Sequence, residues 1–255
     1  MALDIAVVLL GDDAPLPVDV LTQDVESRWT DLPYATGAEQ DEGTVSFHLG
    51  SAWLAVGFMP APVPWSDLEG PCWTSWLWPN AADALRPHRV HWIVTVLDEA
   101  PPVPRALLLT RITASVLATC PAAIGVLWRG SGAVLPKEFF IGVAGASALR
   151  DPPVELWVDF RVGRDGRKTS WRFTHGLEAL GHMEFETEQA PEDPGELLER
   201  LISLARYVVA GNGVIRDGDT VARDAREKIR VEYSAFGHEQ NVMRLEFPPP
   251  KWRSW

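Results

Sequence analysis

Thr44 to Leu49 and Ala52 to Met59 are two strand-like runs separated only by Gly50-Ser51. A gap that short closes only as a hairpin, so the two strands are antiparallel neighbours. The pattern returns in the second half. There, Val154 to Val162 alternates apolar and polar residues, and Arg164-Asp165-Gly166-Arg167 turns the chain into a partner run, Thr169 to Thr174. Single helices fall between such pairs. The predicted class is therefore α+β, with mostly antiparallel sheets flanked by a few helices, not a regular β-α-β alternation.

The other elements follow from periodicity and from chain-breaking residues. Asp4 to Leu10 reads as a buried strand ended by Gly11-Asp12-Asp13. Pro17 opens a helix in which Val18, Leu21, Val25 and Trp29 share a face. Residues 30–43 read as a polar loop. Four prolines between Pro60 and Pro71 predict irregular chain. Val90 to Leu97 is a strand, and Pro104 to Thr119 a helix apolar nearly all round, hence buried. Ile124 to Trp128 and Phe139 to Val143 read as short strands, and Met183 to Thr187 as another. The clearest helix begins at Asp193 (N-cap) and Pro194, with Glu196 as the capping-box residue, and ends at Gly211. Ile229 to Tyr233 and Val242 to Phe247 are terminal strands. A seam near 144–153 predicts two lobes of similar size, 1–145 and 152–247, followed by a Pro/Trp tail at 248–255.

Composition narrows the function classes. The net charge is −12, which repels phosphate backbones and argues against nucleic-acid partners. The excess is uneven. Residues 1–127 hold 15 acidic and 5 basic side chains. Asp12, Asp13, Asp24, Glu26, Asp41 and Glu42 belong to a run in which the only base is Arg28. If that segment folds compactly it is a negative patch suited to a basic protein partner; read plainly, it is a solubility feature. The longest apolar stretch, Leu107 to Trp128, is broken by Arg111 and Pro121 and is not expected to span a membrane. No secretory segment is expected at the N-terminus, so the two cysteines, Cys72 and Cys120, are expected as thiols in a cytoplasmic protein.

Twelve tryptophans stand against three tyrosines. Trp73, Trp76 and Trp78 lie in a Pro-rich stretch and Trp252 and Trp255 at the terminus, where binding residues concentrate. The alternative is that they fold back onto the lobes. For the first three, partial burial is expected.

No sequence signature of a hydrolase elbow, P-loop, dinucleotide fingerprint or zinc protease is present, so no catalytic set, metal or cofactor is assigned. The sharpest chemical alternative is two carboxylate pairs, Glu184 with Glu186 and Asp217 with Asp219. If they met they would suit Mg²⁺ or Mn²⁺ hydrolysis. Strand alternation explains the first pair without chemistry, and turn geometry around Gly218 explains the second. His88, His91, Cys72 and Cys120 have the residue types of a zinc site but not the spacing.

His175-Gly-Leu-Glu-Ala-Leu-Gly-His-Met-Glu-Phe-Glu, followed by Ile215-Arg-Asp-Gly-Asp-Thr-Val, resembles two motifs of the bacterial domain of unknown function family 4261. Phe58-Met-Pro-Ala-Pro-Val-Pro and the strand holding His91 are similar to two further elements, so the resemblance extends over most of the chain. It implies no enzyme mechanism. It implies an accessory protein of the immunity or adaptor kind. The expected function is a non-enzymatic protein-binding protein, toxin-neutralising in its most concrete form. A metal-dependent hydrolase and a structural adaptor are the alternatives.

Overall fold

The computed structural model describes residues 2–165, 169–222, 228–235 and 242–248. It is an α+β protein with two mostly antiparallel sheets. The chain divides into two compact units, Met1–Trp157 and Val158–Trp255. The first is the larger, because the boundary falls beyond the expected seam.

In the first unit β1 (Ala2–Leu10) leads to α1 (Val18–Arg28). Then come β2 (Ala35–Asp41), β3 (Thr44–Leu49) and β4 (Ala52–Met59). Two short helices, α2 (Trp65–Thr74) and α3 (Ala81–Leu85), precede β5 (Val90–Asp98). The long helix α4 (Pro102–Thr119) is followed by β6 (Ala123–Trp128), β7 (Ala133–Pro136), α5 (Lys137–Ala146) and the single turn α6 (Val154–Trp157). The strands form one sheet in the order β2-β3-β4-β5-β1-β6-β7, with every pairing antiparallel.

β1 is central, and its alternate residues face opposite layers. Ala6 and Val8 stand opposite Val94 and Trp92 of β5, on the face covered by α4. Val7 and Leu9 face the other way, into a cluster with Leu68 and Cys72 of α2 and Ala81 and Leu85 of α3. α2 and α3 cover only the β1-β6-β7 end of this second face. Beyond them, Leu3, Leu97, Trp53 and His48 form one row across β1, β5, β4 and β3. Ile5, Thr95, Ala55 and Ser46 form the next. Val7, itself part of the α2–α3 cluster, leads the third, with Ile93, Gly57 and Thr44.

α4 is apolar nearly all round, as expected, and ten of its residues are buried. Two of its interior hydroxyls accept from indoles, while that of the buried Thr113 has no partner among the described residues. The Trp29 indole N–H donates to Ser115 Oγ at 3.0 Å, and that of Trp157 donates to Thr110 Oγ1 at 2.7 Å. Large rings are thereby buried without orphaning their one donor.

In the second unit β8 (Asp159–Asp165) pairs with β9 (Thr169–His175). A 3-10 turn (Glu178–Leu180) leads to β10 (Phe185–Ala190) and α7 (Pro194–Val209). β11 (Thr220–Val221), β12 (Ile229–Ser234) and β13 (Val242–Glu246) complete a sheet ordered β11-β12-β13-β10-β9-β8. Only β10–β13 is parallel. α7 starts as predicted, with the Asp193 carboxylate accepting from the backbone N–H of Gly195 and Glu196. Its stripe Leu197, Leu201, Ala205 and Val208 is buried.

Several expected elements are different in the structure. The polar loop at 30–43 contains β2, an edge strand exposed along nearly its whole length, so it lacks the apolar alternation that marks a strand. The Pro-rich stretch contains α2; Pro60, Pro62 and Pro64 precede it, and only Pro71 lies inside. Phe139 to Val143 is not a strand. It lies in α5, where Phe140 and Ala144, four apart, are the buried pair. Val154 to Trp157 is a helical turn, and the strand begins only at Asp159.

Two glycines are dictated by neighbouring rings. A Cβ on Gly125 would lie 2.6 Å from the Trp78 ring and 2.5 Å from the Leu135 carbonyl. A Cβ on Gly163 would lie 2.2 Å from the Trp171 ring, which stands opposite it on β9. The Trp78 indole is thus packed directly on the backbone of β6, and neither wall can yield without moving main chain. Gly125→Ala is expected to destabilise the protein by about 1–3 kcal/mol, the range for overpacking a filled core, as read by urea unfolding followed through tryptophan fluorescence.

Candidate functional site

The two carboxylate pairs are held in different ways. Glu184 sits just before β10, not on it. Its Oε2 accepts from the Thr174 hydroxyl at 2.7 Å, and its Oε1 from the backbone N–H of Gly176 at 2.7 Å and of Glu178 at 3.0 Å. The same Thr174 oxygen accepts from the Phe185 N–H. Glu184 therefore ties the end of β9 to the 3-10 turn and to the start of β10. Glu186 is on the strand, with the neighbouring Phe185 fully buried on the opposite face. It stands opposite Arg244 of β13, 3.6 Å away, in a row where Glu232 of β12 follows. This is a half-buried ladder of alternating charge.

Asp217 and Asp219 flank Gly218, whose φ is +82°. Asp217 accepts from the Tyr233 N–H at 2.9 Å, and Asp219 from the Arg216 N–H at 2.7 Å. Backbone bonds Gly218 N–H to Val231 O and Val231 N–H to Asp219 O dock this turn on β12. Tyr233 stands opposite Met243 and Met243 opposite Phe185, so two strand spacings, roughly 10 Å, separate the two pairs across the sheet. Among the described residues no group of three or more His, Cys, Asp or Glu side chains is placed to hold a metal ion.

The zinc-type residues are likewise engaged. His91 Nδ1 lies 2.8 Å from the Ala61 carbonyl, which makes that nitrogen the protonated one. His88 Nδ1 faces the Leu85 carbonyl. Cys72 and Cys120 are buried free thiols. Burial pushes Cys72 up to about 11, against a smaller opposite pull from Arg86, and burial also raises Cys120. Reactivity follows the thiolate fraction.

The acidic candidates separate into neutralised and free groups. Asp24 takes both Nε and Nη2 of Arg28, at 2.9 and 2.7 Å. Glu26 accepts from the Ala35 N–H at 3.1 Å and so anchors the start of β2. Asp31, outside the candidate set, pairs with Arg111 at 2.9 Å. Asp12 accepts from the Asp13 N–H and lies 3.8 Å from Arg89, with both side chains open to water. Asp13, Asp41 and Glu42 are exposed. Asp41 stands opposite Thr44, and the two residues between them, Glu42 (φ +38°) and Gly43 (φ +85°), form the tight turn joining β2 to β3.

The three aromatic candidates near residue 75 have three environments. Trp78 is core. Trp76 is half-buried. Trp73, for which partial burial is expected, is 79% exposed at the end of α2. One turn back on the same helix stands Glu69, also exposed. Trp252 and Trp255 lie outside the described residues. Sequence reasoning passed over Trp65, whose ring carries the Arg86 guanidinium at 4.1 Å. The signal for it is its place as the first residue after a proline-closed loop. No helix among the described residues is long and apolar enough to cross a membrane.

Two outcomes follow. Glu184→Ala removes three hydrogen bonds to a carboxylate and should lower stability by about 2–4 kcal/mol; a calorimetric melt measures it. Native protein should react with a disulfide thiol reagent far more slowly than protein unfolded in guanidinium, in which both cysteines titrate.

No curated protein and no solved structure matches the chain. A family model, that of a domain of unknown function (DUF4261), matches residues 173–246. The match takes in the Glu184-bearing turn, α7 and the Asp217 turn, but not the Met59-Pro60 element or the His91 strand. Residues 173–246 are thus similar to the DUF4261 family.

Proposed function

We propose that this chain is a non-enzymatic protein-binding protein, and that its N-terminal unit holds a basic protein partner. The observation that carries the proposal is Trp73. An indole 79% exposed on a helix is a large apolar area that the fold leaves in water. Tryptophan leads the residue types at interface hot spots, since it buries much area at low entropy cost. Exposed Glu69, one turn back on the same face, favours a cationic neighbour, and an arginine can stack on the ring beside it. Free acids at Asp13, Asp41 and Glu42 add to a field that speeds encounter with a basic partner.

In its most concrete form the chain is an immunity protein that neutralises a basic toxin encoded beside it. The carboxylates that suit a hydrolase bind main-chain N–H groups or an arginine, which makes them supports of the fold.

The test uses the product of the adjacent reading frame. Calorimetric titration against that protein should show binding, and co-production should protect cells from it. Trp73→Ala should weaken binding by about 2 kcal/mol or more, some 30-fold, with the melting temperature unchanged because the side chain is outside the core. Equal binding by the variant, or no binding by the native chain, overturns the proposal.

A further inference from the structure

The turn that holds Asp217 and Asp219 also closes one side of a cavity of about 380 Å³ in the second unit. Leu204 and Tyr207 of α7 line one side of it. Val214 and Ile215, from the connection after α7, and the chain from Asp219 into β11 line the rest. The volume falls in the range of small-ligand sites, about 300–1,000 Å³. Among the described residues that line it, Asp219 is the only charged one.

The fold sets these walls before any ligand arrives. Tyr207 Oη lies over Gly213, where a Cβ would stand 2.2 Å from it, so glycine is what lets the ring take this place. The Ile215 carbonyl accepts from the Tyr233 hydroxyl at 2.5 Å. Asp219 Oδ2 accepts from the Arg216 N–H at 2.7 Å, and the Gly218 N–H donates to Val231 O. The connection is thus pinned at several points, and a ligand has little left to order. Three groups in it remain open. The Tyr207 ring is 44% exposed and Val214 is 79% exposed. Asp219 Oδ1 has no partner among the described residues.

We infer that this cavity takes an arginine side chain of another protein. Charge and shape select the occupant. The apolar lining from Leu204, Ile215 and Val221 suits an aliphatic stem. The open ring of Tyr207 suits a planar cation stacked on it, and the free carboxylate oxygen of Asp219 suits that cation's N–H groups. A purely apolar group would strip water from the Asp219 charge and give it no partner, and an anion would be repelled. Lysine has the charge but not the planar fork that stacks. A basic partner thereby gains a point of contact on the second unit that does not rest on Trp73.

Titration of the full chain with N-acetylarginine methylamide, followed by NMR, tests this. Backbone amides within residues 214–222 should shift and saturate, with a dissociation constant on the order of 1 mM for a ligand of this size. The leucine and glutamate counterparts should give no saturable shift. Asp219→Asn keeps an acceptor for the Arg216 N–H but removes the charge, and should weaken binding about tenfold or more. Val214→Lys, at a side chain already in water, should do the same if Asp219→Asn fails to fold. Trp73→Ala should bind the probe as the native chain does. The inference is overturned by no saturable shift at about 20 mM probe, by equal shifts from the leucine counterpart, or by unchanged affinity in a folded Asp219→Asn variant. Tighter binding of free arginine would assign the site to the amino acid and overturn it too, as would loss of the shifts in Trp73→Ala. Binding of the adjacent gene product through Trp73 is read separately, so either idea can fail alone.

Discussion

The first unit is organised around the burial of α4. β1 and β5 lie beneath this helix, and α1 and α5 pack against its sides. A helix with no wet face brings its polar atoms inside with it. Ser115 and Thr110 are tolerable there only because Trp29 and Trp157 arrive with indole donors. These two bonds link segments on either side of α4 in sequence, α1 and the turn after α5. Removing either hydroxyl would strand a buried N–H, which costs more than the hydrogen bond itself contributes. The high tryptophan content is in part an answer to this helix.

Because α4 seals one face of the sheet, the asymmetry of the other becomes meaningful. α2 and α3 shield the β1-β6-β7 end, and Trp78 seats that layer on the bare backbone of Gly125. The second unit reaches a different solution to the same geometry. α7 covers one side of its sheet, and the other is filled by opposed charges.

What the sequence disclosed was local. The β3–β4 hairpin, the buried helix and the Asp193 cap rest on contacts a few residues apart or on periodicity, and each is found near its expected limits; β8 pairs with β9 as expected but begins at Asp159, not Val154. What it concealed depended on remote partners. β2 has no apolar face of its own, and only pairing with β3 makes it a strand. α5 shows an apolar run of the same length as a strand, and its helical state is decided by burial of Phe140 and Ala144. For the carboxylates, spacing suggested a turn at Asp217–Asp219 and a shared strand face for Glu184 and Glu186, but Glu184 lies before the strand and Glu186 is half-buried. Nothing in the spacing foretold that Glu184 would gather three donors, because two of them are backbone groups of a turn that exists only once the chain has folded. Trp73 and Trp78 are five residues apart and alike in context, yet one is outside and the other core.

β2 also carries a bulge. Its register against β3 slips between Thr36 and Glu39, around Gly37 at φ +60°. Together with the acidic side chains beyond it, this interrupts the row of outward amide groups that a free sheet edge would offer to another strand. A seven-stranded sheet ending in a straight, neutral strand would be a template for endless edge-to-edge growth. At this margin, the protection against such pairing is a misfit of backbone and a few carboxylates.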